Sequence, residues 1–255
     1  MYMKWSNKQI EYLRNNYIQG NIQTIADNLN ISYNSVKSAA FRYGISCGQK
    51  KYEKLKPLFL DNHISWYWKG FLMADGHLSD NGTLLVSSHL KDTDHLKKLC
   101  DLLSINHHIR KTKTSYKISS YCFVNCKDSY YGPKIINQLG IINPKTYNPP
   151  ILSNIPDEFL LSFFVGFFDG DGYFPTCRAR PNVTKMRIIV HKNWLPCLEE
   201  LTERLKPYGF KSIKTSINNR GFSQIFLYGK DAITNIKKIC ISNNIPLLER
   251  KWNKV

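Results

Sequence analysis

The feature that most constrains the fold of this sequence is a duplicated apolar motif with small residues at helical spacing. The first copy, residues 68–76, reads Trp-Lys-Gly-Phe-Leu-Met-Ala-Asp-Gly, and the second, residues 164–172, reads Phe-Val-Gly-Phe-Phe-Asp-Gly-Asp-Gly. An aspartate and a glycine end each copy, and the two aspartates, Asp75 and Asp171, are separated by 171 − 75 = 96 positions. A repeat of this kind indicates two copies of one structural unit within the chain.

Small residues lie one helical turn apart on one face of each copy, Gly70 with Ala74 and Gly166 with Gly170. Glycine within a helix costs roughly 1 kcal/mol relative to alanine, so these positions need a packing reason. Small residues at this spacing let two helix backbones approach closely. Because neither apolar run reaches the roughly 20 residues that span a bilayer, we expect the two helices to pack on each other inside a soluble domain.

The glycines after the acids, Gly76 and Gly172, are predicted to cap the two helices in the left-handed conformation. Asp75 and Asp171 would then lie side by side at the ends of the paired helices. Each carboxylate would face the negative end of a helix dipole, and the two would repel each other. A divalent cation offsets both costs, and a hard ion such as Mg²⁺ prefers oxygen ligands. The alternative, that these acids only cap or solvate turns, is disfavoured by their occurrence in matched contexts.

These motifs resemble those of the LAGLIDADG homing endonuclease family, and the resemblance extends over most of residues 66–255. It implies that the eighth motif residue, here Asp75 and Asp171, is the catalytic and metal-binding acid. The sixth position is Met73 in one copy and Asp169 in the other. Positions six and eight are about 200° apart around a helix, so Asp169 is predicted to be structural or solvated and not part of the same cleft.

The resemblance implies an α+β fold in which two pseudo-symmetric αββαββα halves pack through their central helices, with saddle-like antiparallel sheets. The implied activity is hydrolysis of both strands of duplex DNA at a long, non-palindromic site, by a monomer. The implied cofactor is Mg²⁺, with Mn²⁺ as a substitute and Ca²⁺ as an ion that binds without supporting cleavage. Lysines that family members carry near the scissile phosphates correspond here to Lys145 and Lys251, which the resemblance implies are catalytic, stabilising transition-state charge or polarising the attacking water, unless these are two ordinary surface lysines.

Two other classes of function stay open at this point. The same scaffold serves RNA maturases that assist group I intron splicing, with intron RNA as the partner, and DNA-binding regulators that do not cleave. Acids at both eighth positions argue against the regulator. An open reading frame inside a group I intron would favour the maturase over a free-standing nuclease.

The charge of the chain agrees with a nucleic-acid partner. Its 36 Lys and Arg residues exceed its 19 Asp and Glu residues, which gives a net charge of +17. Such an excess favours binding to backbone phosphates, although ribosomal and membrane-surface proteins share it. We find no signal peptide and no transmembrane run, so we expect an intracellular protein, cytoplasmic or organellar, with no membrane partner. The seven cysteines form no paired zinc motif and are expected to be reduced.

Residues 1–46 are predicted to form a separate helix-turn-helix domain. Ser6 and Ser32 are suitable N-caps, Gly20 interrupts the helical pattern, and Gly44 ends a third helix. Three short amphipathic helices with a tight turn before the third are typical of DNA-binding modules, although a bundle that binds protein has the same pattern. The outward residues of the third helix predicted to contact DNA are Asn34, Ser35, Lys37, Ser38 and Arg42.

The remaining chain is divided into a basic linker at residues 47–65, a first half at 66–147 and a second half at 148–255. The linker is either a solvated tether or a clamp on the DNA backbone. Alternation along the predicted strands places basic side chains on one face of each sheet, opposite an apolar face. That face is expected to contact DNA, unless it is only solvated, through Lys111, Lys113, Arg178, Arg180, Lys185 and Arg187.

Overall fold

The structure is a computed structural model, and it divides the chain into two compact units, Met1–Glu53 and Lys54–Val255. No helix in the described part of the chain is long and apolar enough to cross a membrane. Side chains are described everywhere in this part except at residues 110–113 and 118–121. The described residues are 5–17, 22–45, 53–113, 118–175 and 184–255.

The first unit contains three helices, α1 (Asn7–Tyr17), α2 (Ile22–Leu29) and α3 (Tyr33–Arg42). Each helix turns its apolar stripe toward a common core, as the 3.6-residue period requires. The side chains buried in that core are Trp5, Leu13, Tyr17, Ile25, Ala26, Val36, Ala39 and Ala40. The predicted arrangement of three short amphipathic helices is therefore present in the described residues of this unit.

The predicted caps of the first unit are confirmed where they fall on described residues. Ser6 and Gln9 form a capping box, because Ser6 Oγ accepts from Gln9 N at 3.3 Å and Gln9 Oε1 accepts from Ser6 N at 2.9 Å. Ser32 Oγ accepts from Ser35 N at 3.2 Å at the start of α3. Gly44 follows α3 with a φ of +59°, as a glycine stop requires. Gly20 lies outside the described residues.

The second unit begins with a short helix and a sheet-containing half. Leu55 and Leu58 are buried in its core, so the later part of the segment predicted to be a linker contributes to this unit. The elements of this part are α4 (Lys56–Phe59), α5 (His63–Asp75), β1 (Gly76–Leu78), β2 (Thr83–His89), α6 (Thr93–Leu103), β3 (His107–Lys113), β4 (Ile118–Lys127) and α7 (Tyr131–Leu139).

The second half repeats the same order of elements. Each half contains one four-stranded antiparallel sheet, with strand order β1-β2-β4-β3 in the first and β5-β6-β8-β7 in the second. The predicted αββαββα order is thus confirmed in both halves. The elements of the second half are α8 (Asp157–Asp171), β5 (Gly172–Tyr173), β6 (Lys185–Val190), α9 (Leu195–Leu205), β7 (Ser212–Ile217), β8 (Ser223–Tyr228), α10 (Lys230–Ser242) and α11 (Glu249–Trp252).

Helices α5 and α8 pack backbone against backbone at the centre of the second unit. A Cβ atom added to Gly70 would lie 1.9 Å from the carbonyl oxygen of Phe163, and one added to Gly166 would lie 1.8 Å from that of Tyr67. Gly70 and Gly166 are equivalent positions of the repeat, and so are Tyr67 and Phe163. The two contacts are therefore related by a pseudo-two-fold axis between the helices. The glycines are therefore required by a contact that excludes every side chain, as their spacing predicts.

The prediction that Gly76 and Gly172 are left-handed caps is wrong. Gly76 has φ −91° and ψ 163°, and Gly172 has φ −86° and ψ 167°, which is extended backbone. Both residues are the first of a strand, so the chain leaves each helix directly into its sheet. Glycine is needed here for space, because an added Cβ would lie 2.6 Å from the Leu72 side chain at Gly76 and 2.1 Å from the Phe168 ring at Gly172.

We predict that Gly70→Ala destabilises the second unit by about 3 kcal/mol, because its methyl group would overlap a backbone carbonyl that cannot move without separating α5 from α8. Gly209→Ala is the control: its methyl group would meet no atom within 4 Å, and its φ of +77° alone costs about 1 kcal/mol. Denaturant unfolding of both variants measures the difference. Equal losses in the two variants would contradict the close-packing account.

Candidate active site

The two duplicated acids lie at the same end of the central helix pair. Asp75 is the last residue of α5 and Asp171 is the last residue of α8. The helices are still in contact at this end, since a Cβ atom on Gly170 would lie 2.2 Å from Ala74 Cβ and 3.5 Å from Asp75 Cγ. The close packing of the glycine stripes thus brings the two carboxylates together at one end of the helix pair.

The surroundings of the two carboxylates disfavour their charged forms. Burial, and after it the charge of Asp75, raise the pKa of Asp171 to about 6, against the opposing charges of Lys145 and Lys251. The pKa of Asp75 is also raised, chiefly by burial, against the opposing charges of the same two lysines. Both residues still reach solvent. In the described part of the chain no hydrogen-bond donor lies on either carboxylate, so their oxygens are open to an external ligand.

This donor set fits a divalent cation of the magnesium type. Mg²⁺ is commonly held by one or two carboxylates and completes its octahedral shell with water and substrate phosphates. Among the described residues no group of three or more His, Cys, Asp and Glu side chains could hold an ion without such help. Asp75 and Asp171 would therefore supply the protein ligands of an ion whose other ligands are water and phosphate oxygens.

Each helix end also receives a lysine ammonium group. Lys145 Nζ donates to the carbonyl oxygens of residues 72–74 at 2.7–2.8 Å. Lys251 Nζ donates to those of residues 168–170 at 2.6–3.0 Å and also lies 2.5 Å from the Gly172 carbonyl oxygen. The two sets of carbonyls are equivalent in the repeat. The lysines thus satisfy carbonyls that a helix leaves without intrahelical partners, and their charge opposes the negative end of each dipole.

Each lysine is held in place by its neighbour in the sequence, Thr146 or Arg250, because that neighbour contacts the opposite half. Arg250 makes a two-pronged ion pair with Asp92 of the first half, at 2.7 and 2.8 Å. Trp194 of the second half donates its indole N–H to the carbonyl oxygen of Thr146 at 3.0 Å. Asp92 and Trp194 end equivalent 3₁₀ turns, Leu90–Asp92 and Lys192–Trp194, that follow the second strand of each half. Each half therefore positions the lysine segment of the other.

Burial lowers the pKa of both lysines to about 8, and the charges of the nearby aspartates oppose the shift. Lys145 donates one hydrogen bond for each of its three ammonium protons, all to the end of α5. Its observed partner is therefore the helix end, and its effect on the acids is exerted through charge. The sequence located both lysines near the acids, but it contained no signal for the carbonyls that they contact.

Asp169 has the structural role that its position in the motif predicts. It is buried, its Oδ2 accepts from Tyr67 OH at 2.8 Å and from Leu248 N at 2.9 Å, and its Oδ1 accepts from Trp252 Nε1 at 2.7 Å. Burial raises its pKa to about 6, against the effect of these hydrogen bonds. Because Tyr67 lies on α5 and Asp169 on α8, the network ties the two halves together away from the open carboxylates.

A cleft of about 500 Å³ opens beside Asp171, and a histidine that was not predicted from the sequence lines it. His191 lines this cleft with Lys145 and Arg220. Its counterpart in the first half is His89. His89 is the last residue of β2, and His191 directly follows β6. Each histidine accepts at Nδ1 from the backbone N–H two residues later, at 3.1 Å for His89 and 3.3 Å for His191. The signal that identifies the pair is a histidine at the same place in both halves.

The sheet of the second half has the predicted division into two faces. Met186 and Ile188 are fully buried, whereas Lys185 and Arg187 alternate with them on the outer face. Arg187 donates to Tyr173 OH at 2.6 Å and to Gln224 Oε1 at 2.5 Å. Arg187 also lies over the Phe226 ring. The presence of Phe226, Gln224 and Tyr228 on this outer face was not predicted from the sequence.

The other predicted sheet cations are only partly covered by the structure. Lys111 and Lys113 lie in edge strand β3, and their side chains are outside the described residues. Arg178 and Arg180 lie outside the described residues altogether. Their predicted contacts with DNA therefore remain predictions.

The outward face of α3 holds most of the residues predicted for it. Asn34, Lys37, Ser38 and Arg42 are exposed, whereas Ser35 is half-buried and its Oγ lies 2.8 Å from Ser32 Oγ. Two aromatic residues on this face were missed: Tyr33 is 43 % exposed and Phe41 is 92 % exposed. The sequence analysis made no assignment for either residue, and the packing of α3 shows that they face solvent.

We predict that Asp171→Asn raises the melting temperature of the metal-free protein by about 2–5 °C at pH 8. The folded-state pKa of about 6 lies above the ordinary 3.8, so the charge destabilises the fold above about pH 6 and has no such effect below about pH 4. Thermal melts in chelator from pH 8 down to pH 4 should show the gain disappear. Asp101→Asn, at an exposed position of α6, is the control. A lower melting temperature for Asp171→Asn at pH 8 would contradict the electrostatic account.

Comparison with known proteins finds likeness in fold without likeness in sequence. No protein-family model matches the chain, and no curated protein matches its sequence. The homing endonuclease I-WcaI bound to its DNA recognition sequence matches with a TM-score of 0.57 at 11 % identity, over 74 % of this chain and 85 % of that one.

Two further solved structures match less closely in shape. Mesophilic variants of the homing endonuclease I-DmoI match with a TM-score of 0.45 at 18 % identity, over 72 % of this chain and 94 % of that one. The LAGLIDADG homing endonuclease I-GzeII in complex with its DNA target matches with a TM-score of 0.43 at 13 % identity, over 74 % and 88 %. The match to I-WcaI carries the conclusion: this chain has an α+β fold like that of this homing endonuclease, with two αββαββα halves joined through their central helices.

Proposed function

We propose that this chain is a site-specific DNA endonuclease of the two-motif LAGLIDADG type, which cleaves both strands of a long, non-palindromic site as a monomer. The observation that carries the proposal is the pair of open carboxylates, Asp75 and Asp171, at one end of two helices related by pseudo-two-fold symmetry. One chain then offers one acid to each strand of a duplex. The shared fold with a homing endonuclease that was solved with its DNA recognition sequence supports the proposal.

In this proposal Asp75 and Asp171 would hold Mg²⁺, with water and phosphate oxygens as its other ligands. When bound, such an ion would stabilise charge at the phosphoryl oxygens and lower the pKa of the attacking water. The carboxylate oxygens that remain free accept hydrogen bonds from water and so orient it toward the phosphorus atom. Mn²⁺ is expected to substitute for Mg²⁺, and Ca²⁺ to support binding without cleavage.

Lys145 and Lys251 act in this proposal through the helix ends and through their charge. Their ammonium groups fix the last turns of α5 and α8, from which the acids project. Their positive charge also lowers the pKa of Asp171 relative to an uncompensated pair of acids, so more of it is ionised at neutral pH. Both effects keep a cation site formed before the substrate arrives.

The outer faces of the two sheets are proposed to bind the DNA grooves on either side of the scissile bonds. Antiparallel sheets place side chains at regular spacing along a groove, where cations neutralise phosphates and polar groups contact base edges. The net charge of +17 supports this role. The sheet residues proposed to contact DNA are Lys111, Lys113, Arg178, Arg180, Lys185 and Arg187.

The first unit is proposed to be a helix-turn-helix module that extends the DNA contact to one side of the cleavage site. Its α3 presents Asn34, Lys37 and Arg42 on the exposed face. Asn34 is suited to a base edge, while Lys37 and Arg42 are suited to phosphates or guanine.

The cleavage assay for this proposal uses the pure protein, Mg²⁺ and a library of random-sequence duplexes, with new DNA ends mapped by sequencing. We predict double-strand breaks at one site, and a loss of at least about 100-fold in the rate for Asp75→Asn and for Asp171→Asn. Binding of the selected duplex in Ca²⁺ should change far less, because most contacts lie on the sheets.

Asp101→Asn again serves as the control and should cleave at the wild-type rate. Full activity of either active-site variant would contradict the assignment of the acids. Specific DNA binding without any break, in Mg²⁺ and in Mn²⁺, would contradict the endonuclease and favour a DNA-binding regulator. Binding of intron RNA in preference to duplex DNA would favour a maturase.

A further inference from the structure

We infer that Phe41 on α3 contacts thymine methyl groups in the major groove, so the first unit reads a thymine-containing flank beside the cleavage site. The inference rests on the proposed function and adds to it a residue and a base. Phe41 is 92 % exposed, the highest value among the large hydrophobic residues that are exposed in the described part of the chain. A phenylalanine ring so exposed gives up the stabilisation of burial, and a partner that covers the ring restores it.

The position of Phe41 on α3 places the ring on the face turned away from the core. Val36, Ala39 and Ala40 face the core of the first unit and are at most 1 % exposed. At about 100° per residue, Phe41 lies within about 20° of Asn34 around the helix axis, on the opposite side from that buried stripe. The ring therefore projects from the exposed face of α3, in the last turn of the helix.

The charges around the ring favour a polyanion as the partner. Lys37 and Arg42 lie on the exposed face, and α3 contains no acidic residue. Lys37 Nζ is also 5.7 Å from the centre of the exposed Tyr33 ring. A protein-docking patch would have an apolar centre depleted of charge, whereas here cations lie beside the aromatic ring. Cations that reach phosphates, next to a side chain that reaches base edges, are the contacts expected of an α-helix in the major groove.

Within the major groove the apolar target for a phenylalanine is the 5-methyl group of thymine. The other groups on the base edges are hydrogen-bond donors and acceptors, which a phenyl ring cannot satisfy. Asn34 lies on the same face, about 10 Å from Phe41 along the helix axis, and is suited to the N6 and N7 atoms of adenine. The exposed face of α3 therefore carries one side chain suited to thymine and, two turns away, one suited to adenine, so we expect the flank to contain A·T pairs.

The test uses the full chain and DNA from which single thymine methyl groups are removed. Duplexes are selected for binding from a random library in Ca²⁺, and the flank protected outside the cleavage core is mapped by footprinting. Thymines in that flank are then replaced one at a time by deoxyuridine, which removes only the methyl group. At one or two positions this should weaken wild-type binding by about fourfold, the effect of one buried methyl group.

The same duplexes are bound to Phe41→Ala and to a matched control, Ile241→Ala. Ile241 is 62 % exposed on α10, in the second unit, so its truncation also removes an exposed apolar side chain. Phe41→Ala should bind the thymine duplex several-fold more weakly and should no longer distinguish thymine from deoxyuridine. Ile241→Ala should keep the wild-type preference. The loss of the preference in one variant only is the signature of a direct contact.

Other outcomes would overturn the inference. Equal binding of thymine and deoxyuridine duplexes by the wild-type protein, at every flank position, excludes a methyl contact without recourse to a variant. A deoxyuridine effect of the same size in Phe41→Ala assigns the contact to another residue. If the protein cleaves its core site but protects no flank, this inference fails while the proposed function stands; if it neither binds nor cleaves any duplex, the proposed function fails.

Discussion

The rest of the structure depends on the direct contact of two helix backbones at the centre of the second unit. Gly70 and Gly166 each leave space for a carbonyl oxygen of the other helix, and no side chain fits at either position. This contact fixes the distance between α5 and α8 along their length. As a result the ends of the helices meet, and Asp75 and Asp171 project from them into one place. The spacing of small residues in the sequence is thus the physical origin of the carboxylate pair.

Bringing two carboxylates to the ends of two helices is electrostatically unfavourable, and the fold offsets only part of that cost. Lys145 and Lys251 satisfy the terminal carbonyls and add positive charge, yet the pKa of Asp171 is still raised to about 6. A bound cation would relieve the repulsion between the carboxylates that the lysines leave uncompensated. Stability and the proposed activity therefore oppose each other at these two positions, as is common where charges are held ready for a ligand.

Most of the fold could be predicted from the sequence because its determinants are local and occur twice. Helical spacing of small residues, alternation along strands and serine caps each depend on neighbouring positions. The caps at Gly76 and Gly172 were mispredicted because the chain turns straight into a strand, and the helix ends are satisfied by lysines more than 70 residues away. The exposure of Phe41 likewise depends on how α3 packs, which its hydrophobicity alone does not reveal.

The central claim is that one chain holds a divalent cation with one acid from each half, at the point where duplex DNA is cleaved. The most direct measurement is a crystal structure of the protein with its selected duplex and Mn²⁺, with the ion located by anomalous scattering. The account predicts anomalous density between Asp75 and Asp171, with carboxylate and phosphate oxygens at about 2.0–2.4 Å. Anomalous density elsewhere, with the two carboxylates in contact only with water, would contradict it.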